Sequence, residues 1–205
     1  MEKLSPKLLI AIFVSFSLCL TSCEKEDPVP EVDQEVITDV TLLFSEVDES
    51  GEIVAGSGFE VVARDAEGIS LGNFPEIDTI EGLEAGKKYL LQISLYNGIA
   101  GEDVTVEVAE DDTEHQFYFL GSTLVGETAF LSYEYNDEDS NAQPVGLRGY
   151  VTVGSPAIAT GTFRIVLRHD LNKTFEGSND PNFENFEQAG GETDLDVTFQ
   201  VIVNE

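Results

Sequence analysis

The two histidines are the residues of this chain with the clearest capacity for chemistry. His115 begins the segment His-Gln-Phe-Tyr-Phe-Leu, and His169 ends the segment Thr-Phe-Arg-Ile-Val-Leu-Arg-His. Both segments have the composition of β-strands, in which alternate side chains point to the same face. His115 therefore shares a face with Phe117, and His169 shares a face with Leu167. The sequence predicts two imidazoles at strand ends, on the side that faces the core.

Imidazole nitrogens at the edge of a core could bind zinc, copper or another transition metal. Carboxylates that could complete such a site are those of Glu114, Asp170 and the run 192–194. The alternative is that each histidine is a hydrogen-bonded residue at the end of its own strand. A site shared by His115 and His169 is a hypothesis that requires their two strands to be neighbours.

A second candidate site is the acidic loop that begins at Asp137. Asp137, Asp139 and Asn141 stand at alternate positions, as in calcium loops, where oxygen ligands converge on a hard cation. Ala142 occupies the place of the turn glycine of an EF-hand, and Arg148 the place of its bidentate glutamate. Calcium at this loop is one hypothesis, and a solvated hairpin turn made of turn-forming residues is the other.

Three arginines form the third group. Arg164 and Arg168 share the outward face of one predicted strand, and Arg148 belongs to another. In so acidic a chain we expect them to pair with carboxylates on neighbouring strands, and capture of an anionic ligand is the alternative.

Sequence signatures of common enzymes are missing from the chain. It contains no nucleophile elbow, no phosphate-binding glycine loop, no zincin helix and no cysteine after residue 23. A hydrolytic carboxylate pair is defined by its separation in space and leaves no sequence pattern. We therefore expect a non-catalytic protein.

The N-terminal segment predicts export. Lys3 and Lys7 precede an apolar run over 8–20 that is too short for a comfortable membrane span. Leu20-Thr21-Ser22-Cys23 resembles the lipobox of bacterial lipoproteins, which implies a signal peptide over 1–22 and acyl chains on Cys23. An ordinary signal peptide with a chance cysteine is the alternative. Because Cys19 leaves with the signal peptide, the mature chain could form no internal disulfide.

Residues 23–35 predict a tether, since they are acidic, contain two prolines and have few apolar side chains. Lys25-Glu26-Asp27 resembles the signal that sends lipoproteins of Bacteroidetes-type bacteria to the cell surface. This resemblance implies a lipid-anchored, surface-exposed protein of the outer membrane. A spacer with no sorting role is the other interpretation.

The net charge excludes several partners. The chain carries 40 acidic and 10 basic residues, for a formal charge of −30. Such a surface repels nucleic acid and anionic lipid headgroups. The contact with the membrane must then be made by the acyl chains.

Residues 36–205 predict one all-β domain. Alternating or β-rich segments separated by Gly, Asn, Asp and Pro argue for an antiparallel β-sandwich, immunoglobulin- or fibronectin-III-like, of about nine or ten strands. Two small sandwiches meeting near 110–114 are the alternative, and 171–192 is the longest loop. The predicted strands are 36–44, 59–64, 90–96, 104–108, 115–120, 129–135, 145–153, 160–169 and 194–203.

One short motif supports the sandwich. The spacing of Leu83, Gly86 and Tyr89 ahead of a predicted strand resembles the tyrosine corner of fibronectin type III and related sandwiches. The resemblance implies that the Tyr89 hydroxyl holds the crossing between the two sheets. A plain loop before the strand, with an exposed tyrosine, is the alternative.

Over most of 36–203 the chain resembles a group of Bacteroidetes lipoproteins to which no activity is assigned. Such proteins are sometimes classed with the type 1 periplasmic-binding fold, which would require alternating βαβ units. The sequence lacks the amphipathic helices that parallel strands need. The shared features are His115-Gln116-Phe117, Tyr135-Asn136-Asp137, Pro144-Val145-Gly146-Leu147, Leu167-Arg168-His169, Asn172-Lys173 and Gly190-Gly191-Glu192-Thr193-Asp194.

Together these observations predict a lipid-anchored β-sandwich with a non-catalytic role in binding or envelope assembly. The alternative is a metal-handling lipoprotein that serves an outer-membrane transporter, with zinc or copper bound by His115 and His169 or calcium bound by the 137–141 loop.

Overall fold

The structure, a computed structural model, describes residues 35–69, 75–155 and 160–203. All of these lie in one compact unit that spans Gln34–Glu205. The predicted signal peptide, Cys23 and residues 23–34 of the predicted tether lie outside the described residues. Neither helix in the described part is long and apolar enough to cross a membrane.

The described residues form two antiparallel sheets, which confirms the predicted all-β sandwich. One sheet has six strands in the order β3-β2-β1-β4-β7-β6, and the other has three in the order β5-β8-β9. The strands are β1 (Asp39–Val47), β2 (Phe59–Arg64), β3 (Glu76–Ile77), β4 (Lys88–Tyr96), β5 (His115–Leu120), β6 (Leu131–Tyr135), β7 (Arg148–Val153), β8 (Thr160–His169) and β9 (Glu192–Ile202). The helices are α1 (Val104–Glu110) and a 3-10 helix (Phe186–Ala189).

The core lies between the two sheets. A single cluster of buried apolar side chains draws on β1 and β4 of the large sheet and on β5, β8 and β9 of the small one. A second cluster covers the outer face of the small sheet, where Tyr118 and Val166 pack against Leu171, Phe186 and Ala189. The 171–191 segment, which the sequence predicts as a long loop, therefore shields that face, and every residue of β5 is buried.

The contact implied by the tyrosine corner is present. The backbone N–H of Glu84 donates to the hydroxyl of Tyr89 at 3.1 Å. Just upstream, Ile80 makes a parallel bridge to Val201 in the small sheet, whereas Tyr89 belongs to β4 of the large sheet. The chain crosses between the sheets over these nine residues, and the buried phenol ties down the crossing.

The predicted strand over 104–108 is wrong, because this segment is helix α1. Val104 and Val108 are buried and Val106 is 50% exposed, which is the pattern of residues four apart on a helix. The Asp103 side chain accepts the N–H two residues on and caps the helix. Valines at every second position fit a strand equally well, and the cap decides for the helix.

Candidate metal centre

The pairing of β5 with β8 brings the two histidines together. In the antiparallel register His115 lies opposite His169, just as Phe117 lies opposite Leu167. The two imidazole rings stack with their centroids 4.5 Å apart and an interplanar angle of 22°. The predicted parity is correct for both residues. His115 is 1% exposed, and the His169 side chain is 17% exposed.

A β-bulge supplies the next group. Leu167 pairs with Leu195 while Arg168 pairs with Thr193, so Asp194 is an extra residue on β9. A bulge reverses the alternation of side chains on the bulged strand. Asp194 and Leu195 consequently both point inward, and Asp194 is only 2% exposed.

The Asp194 carboxylate faces both imidazoles. Its Oδ2 atom lies 4.0 Å from Nε2 of His115 and 3.8 Å from Nδ1 of His169. Glu35 adds a second carboxylate, with Oε1 at 3.6 Å from Nε2 of His115. Ligand atoms around a tetrahedral zinc are about 3.3 Å apart, given metal–ligand distances near 2 Å. Shifts of well under 1 Å would therefore bring these groups to metal-binding distances.

His115 is oriented as a metal ligand is. Its Nδ1 atom lies 3.0 Å from the carbonyl oxygen of Asp111, to which it donates in the neutral tautomer. That hydrogen bond leaves the lone pair on Nε2, directed at the two carboxylates. The Nε2 atom is buried and has no hydrogen-bond partner among the described residues. Metal coordination would satisfy it.

The protonation of the cluster reflects its burial. Burial, together with the charge of Glu35, raises the pKa of Asp194 from 3.8 to about 6, although both histidines act to lower it. Burial lowers the pKa of His115, but Glu35, the Asp111 carbonyl and Asp194 outweigh it and the pKa is raised. Without a metal, protons must therefore balance the buried carboxylates up to unusually high pH.

The outer side of the cluster is open to solvent. The Nε2 atom of His169 lies 3.5 Å from Oε2 of Glu114 and 3.8 Å from Oδ1 of Asp170. Both carboxylate side chains are 55% exposed. Asp170 has a φ of 55°, a left-handed conformation that aspartate tolerates and that ends the alternation of β8. This places its carboxylate beside the imidazole that precedes it.

Arg168 holds the start of β9 in place. Its Nη2 atom donates to the carbonyls of Gly190 and Gly191 at 2.7 and 2.6 Å, and its Nη1 atom donates to the hydroxyl of Thr193. Gly191 has a φ of 74°, and a Cβ there would lie 2.1 Å from the carbonyl oxygen of His169. Only glycine permits this close turn, which leads directly into the bulge.

A buried lysine supports the start of β5. The Lys173 ammonium, with 4% of the side chain exposed, donates to the carbonyls of Asp112 and His115 at 2.8 and 2.9 Å. It also lies 2.9 Å from Oδ2 of Asp139. All three of its N–H donors are therefore used, and the backbone of His115 is anchored from behind.

The calcium hypothesis does not fit the 137–141 loop. The Asp137 oxygens accept two backbone N–H groups at 2.7 and 2.8 Å, and Asp139 accepts the N–H of Asn141 at 2.8 Å. The remaining oxygen of Asp139 faces the Lys173 ammonium. Donors already surround these carboxylates, so the loop lacks the free oxygens that calcium requires.

The expected cross-strand pairing is present for Arg164. Its Nε and Nη2 atoms donate to the two carboxylate oxygens of Asp196 at 2.8 and 2.6 Å, in the bidentate geometry that arginine favours. Arg168 pairs with backbone carbonyls instead. Arg148 is exposed on β7.

No protein-family model, curated protein or solved structure matches the chain. Its class is therefore defined by its own fold and site. It is an antiparallel β-sandwich with two histidines and two carboxylates gathered at one end of the small sheet.

Two members of this site escape sequence reasoning. Asp194 has outward parity on a regular strand, and only the bulge turns it inward. Glu35 is the last residue of the predicted tether, yet its side chain reaches His115. The glycine pair 190–191 is a signal for irregular backbone near Asp194, whereas the sequence holds no comparable signal for Glu35.

Proposed function

We propose that this protein is a lipid-anchored, transition-metal-binding β-sandwich, with zinc as its ion. The observation that carries the proposal is the buried Nε2 atom of His115, which lacks a hydrogen-bond partner among the described residues and faces Asp194 and Glu35. His169 offers its Nδ1 atom to the same space. His115, His169 and Asp194 each present a ligand atom, and these atoms lie within 4.8 Å of one another.

The charges of the cluster favour a divalent cation. An ion of charge +2 would neutralise the carboxylates of Asp194 and Glu35 while both imidazoles stay neutral. Neutral imidazole is the form that binds metal. Two nitrogens with two carboxylate oxygens suit zinc or copper, whereas calcium prefers oxygen ligands alone.

The cellular role follows from the predicted anchor. Acyl chains on Cys23 would hold the domain at the outer membrane, and the charge of −30 would concentrate cations near its surface. We propose that the protein binds the metal without catalysis and delivers it to an outer-membrane transporter.

The test is metal binding by a soluble form. This form begins at residue 24, because Glu35 must be kept. After chelation, it should bind one zinc ion per chain in calorimetry. His115→Ala, His169→Ala and Asp194→Asn should each weaken the affinity by about a hundredfold or more, as expected for lost ligands. Asp196→Asn is the matched control, since it makes the same change on the same strand at an outward position.

Failure would be equally clear. If the soluble form binds no zinc or copper and its melting temperature does not respond to either ion, the metal proposal is wrong. The cluster would then be a proton-balanced group of buried charges. A binding or envelope-assembly module without metal would be the remaining function.

A further inference from the structure

We infer that the protein carries a second, outer metal position made of Glu114, Asp170 and the Nε2 atom of His169, and that ions reach the buried position through it. This inference rests on the proposed function, because the outer position serves the inner one. The three outer groups present ligand atoms within 4.8 Å of one another, and both carboxylates are 55% exposed. The inner carboxylate, Asp194, is 2% exposed.

His169 is the only residue that belongs to both groups of described ligands. Its Nδ1 atom lies 3.8 Å from the inner Asp194, and its Nε2 atom lies 3.5 Å from the outer Glu114. The two nitrogens of one imidazole ring point in opposite directions. The ring therefore forms the wall between solvent and the inner position, and both sides of that wall can bind a cation.

The exposure of the groups decides the direction of entry. His115 is 1% exposed and Asp194 is 2% exposed, so a hydrated ion cannot reach them directly. The outer carboxylates can bind an ion that still keeps part of its water shell. An ion held by Glu114 and Asp170 would exchange water for the His169 nitrogen before it moves inward.

The proton on His169 must change sides during transfer. With the ion on Nε2, the Nδ1 atom carries the ring proton and donates it towards Asp194. With the ion on Nδ1, the Nε2 atom carries the proton and donates it towards Glu114 or Asp170. Transfer inward therefore releases one proton from Nδ1 and adds one at Nε2, with no net change. A neutral ring serves one position at a time, so the stoichiometry stays at one ion per chain.

The test separates rate from affinity. The double variant Glu114→Gln with Asp170→Asn removes the outer carboxylates and leaves the inner ligands. Stopped-flow mixing with zinc, and with a chromogenic zinc chelator for the reverse step, should show loading and release each slowed by about tenfold, at unchanged equilibrium affinity. The control is Glu49→Gln with Glu127→Gln, which removes the same charge from two exposed positions beyond the far ends of β1 and β5.

Each other outcome identifies what is wrong. If the wild-type chain binds no zinc, the proposed function itself fails. If zinc binds but the double variant loads and releases it as fast as the wild type, only the outer position is refuted. If the double variant loses affinity about tenfold with an unchanged loading rate, the outer carboxylates merely orient His169, which also refutes the outer position. If the control variant slows as much, net charge and not the outer group sets the rate.

Discussion

The rings of His115 and His169 stack face to face, with centroids 4.5 Å apart, at directly opposed positions on β5 and β8. Two protonated imidazoles at this distance would repel each other, so the stack disfavours a doubly charged pair. A bound metal removes the conflict, because both ligands are then neutral. The geometry of this one pair therefore links metal binding, protonation and stability.

The first prediction concerns pH. The pKa of Asp194 is raised from 3.8 to about 6 by burial, so the folded chain binds more protons than the unfolded chain between these values. Stability must then fall as pH rises from about 4 to about 6, and the loss remains at higher pH. The raised pKa of His115 acts in the same direction, because its stabilising protonated form is lost at higher pH.

Asp194→Asn should consequently stabilise the metal-free protein at about pH 8 by roughly 2 kcal/mol, since it removes a buried charge. At about pH 5 the difference should largely vanish. Thermal unfolding of both proteins at the two pH values measures this. Zinc should stabilise the wild type and not the variant, and equal metal-free stability at pH 8 would contradict the assignment of the buried charge.

The second prediction concerns the tether. Glu35→Gln should weaken zinc binding by about ten- to a hundredfold, because it removes a carboxylate at 3.6 Å from His115. A soluble form that begins at residue 36 should show the same loss. Calorimetry on the three proteins checks this, with Glu31→Gln as a control in the preceding tether. Wild-type affinity in the truncated form would show that Glu35 is not part of the site.

The third prediction concerns the turn before β9. Arg168→Lys keeps the charge but loses the fork that holds the carbonyls of Gly190 and Gly191. We expect zinc affinity to fall by about tenfold while the ligands remain present, because the bulge at Asp194 becomes mobile. Arg164→Lys, the same change on the same strand, should leave affinity unchanged. Equal effects of the two variants would show that Arg168 has no special role in positioning.

The fourth prediction concerns the buried ion pair of Lys173 and Asp139, whose charged atoms are 2.9 Å apart. Lys173→Met or Asp139→Asn alone leaves a buried charge without its partner and should destabilise the fold by about 3 to 5 kcal/mol. The double variant should lose much less than the sum of the two. Chemical unfolding of the four proteins provides the cycle, and simple additivity would show that the pair is not coupled.

The fifth prediction concerns the anchor. In protein from its native host, Cys23 should be the first residue and should carry acyl chains, because it ends the predicted lipobox. Mass spectrometry of the N-terminal peptide measures this directly. Cys23→Ser should release the protein from the membrane fraction. An unmodified Cys23 thiol in membrane-derived protein would contradict the lipoprotein assignment.

Much of the fold follows from local pattern. Alternation along each segment predicts β2, β5 and β8 with their observed bounds, and it places His115 and His169 on the core-facing side. Alternation fails at Val104–Glu110, where the same spacing of valines suits a capped helix. A period of two over five residues does not distinguish these structures when both bury the same two side chains.

The sequence by itself determined the strand-rich class, the acidic surface and the inward parity of the two histidines, because these depend on residue types and on spacing along the chain. Only the tertiary structure decided that His115 faces His169, that a bulge turns Asp194 inward, and that Glu35 closes the site. Register and bulges depend on pairing between distant segments, and the free energy of that pairing comes from packing across the whole core. The candidate site is therefore a product of long-range register, which no local pattern contains.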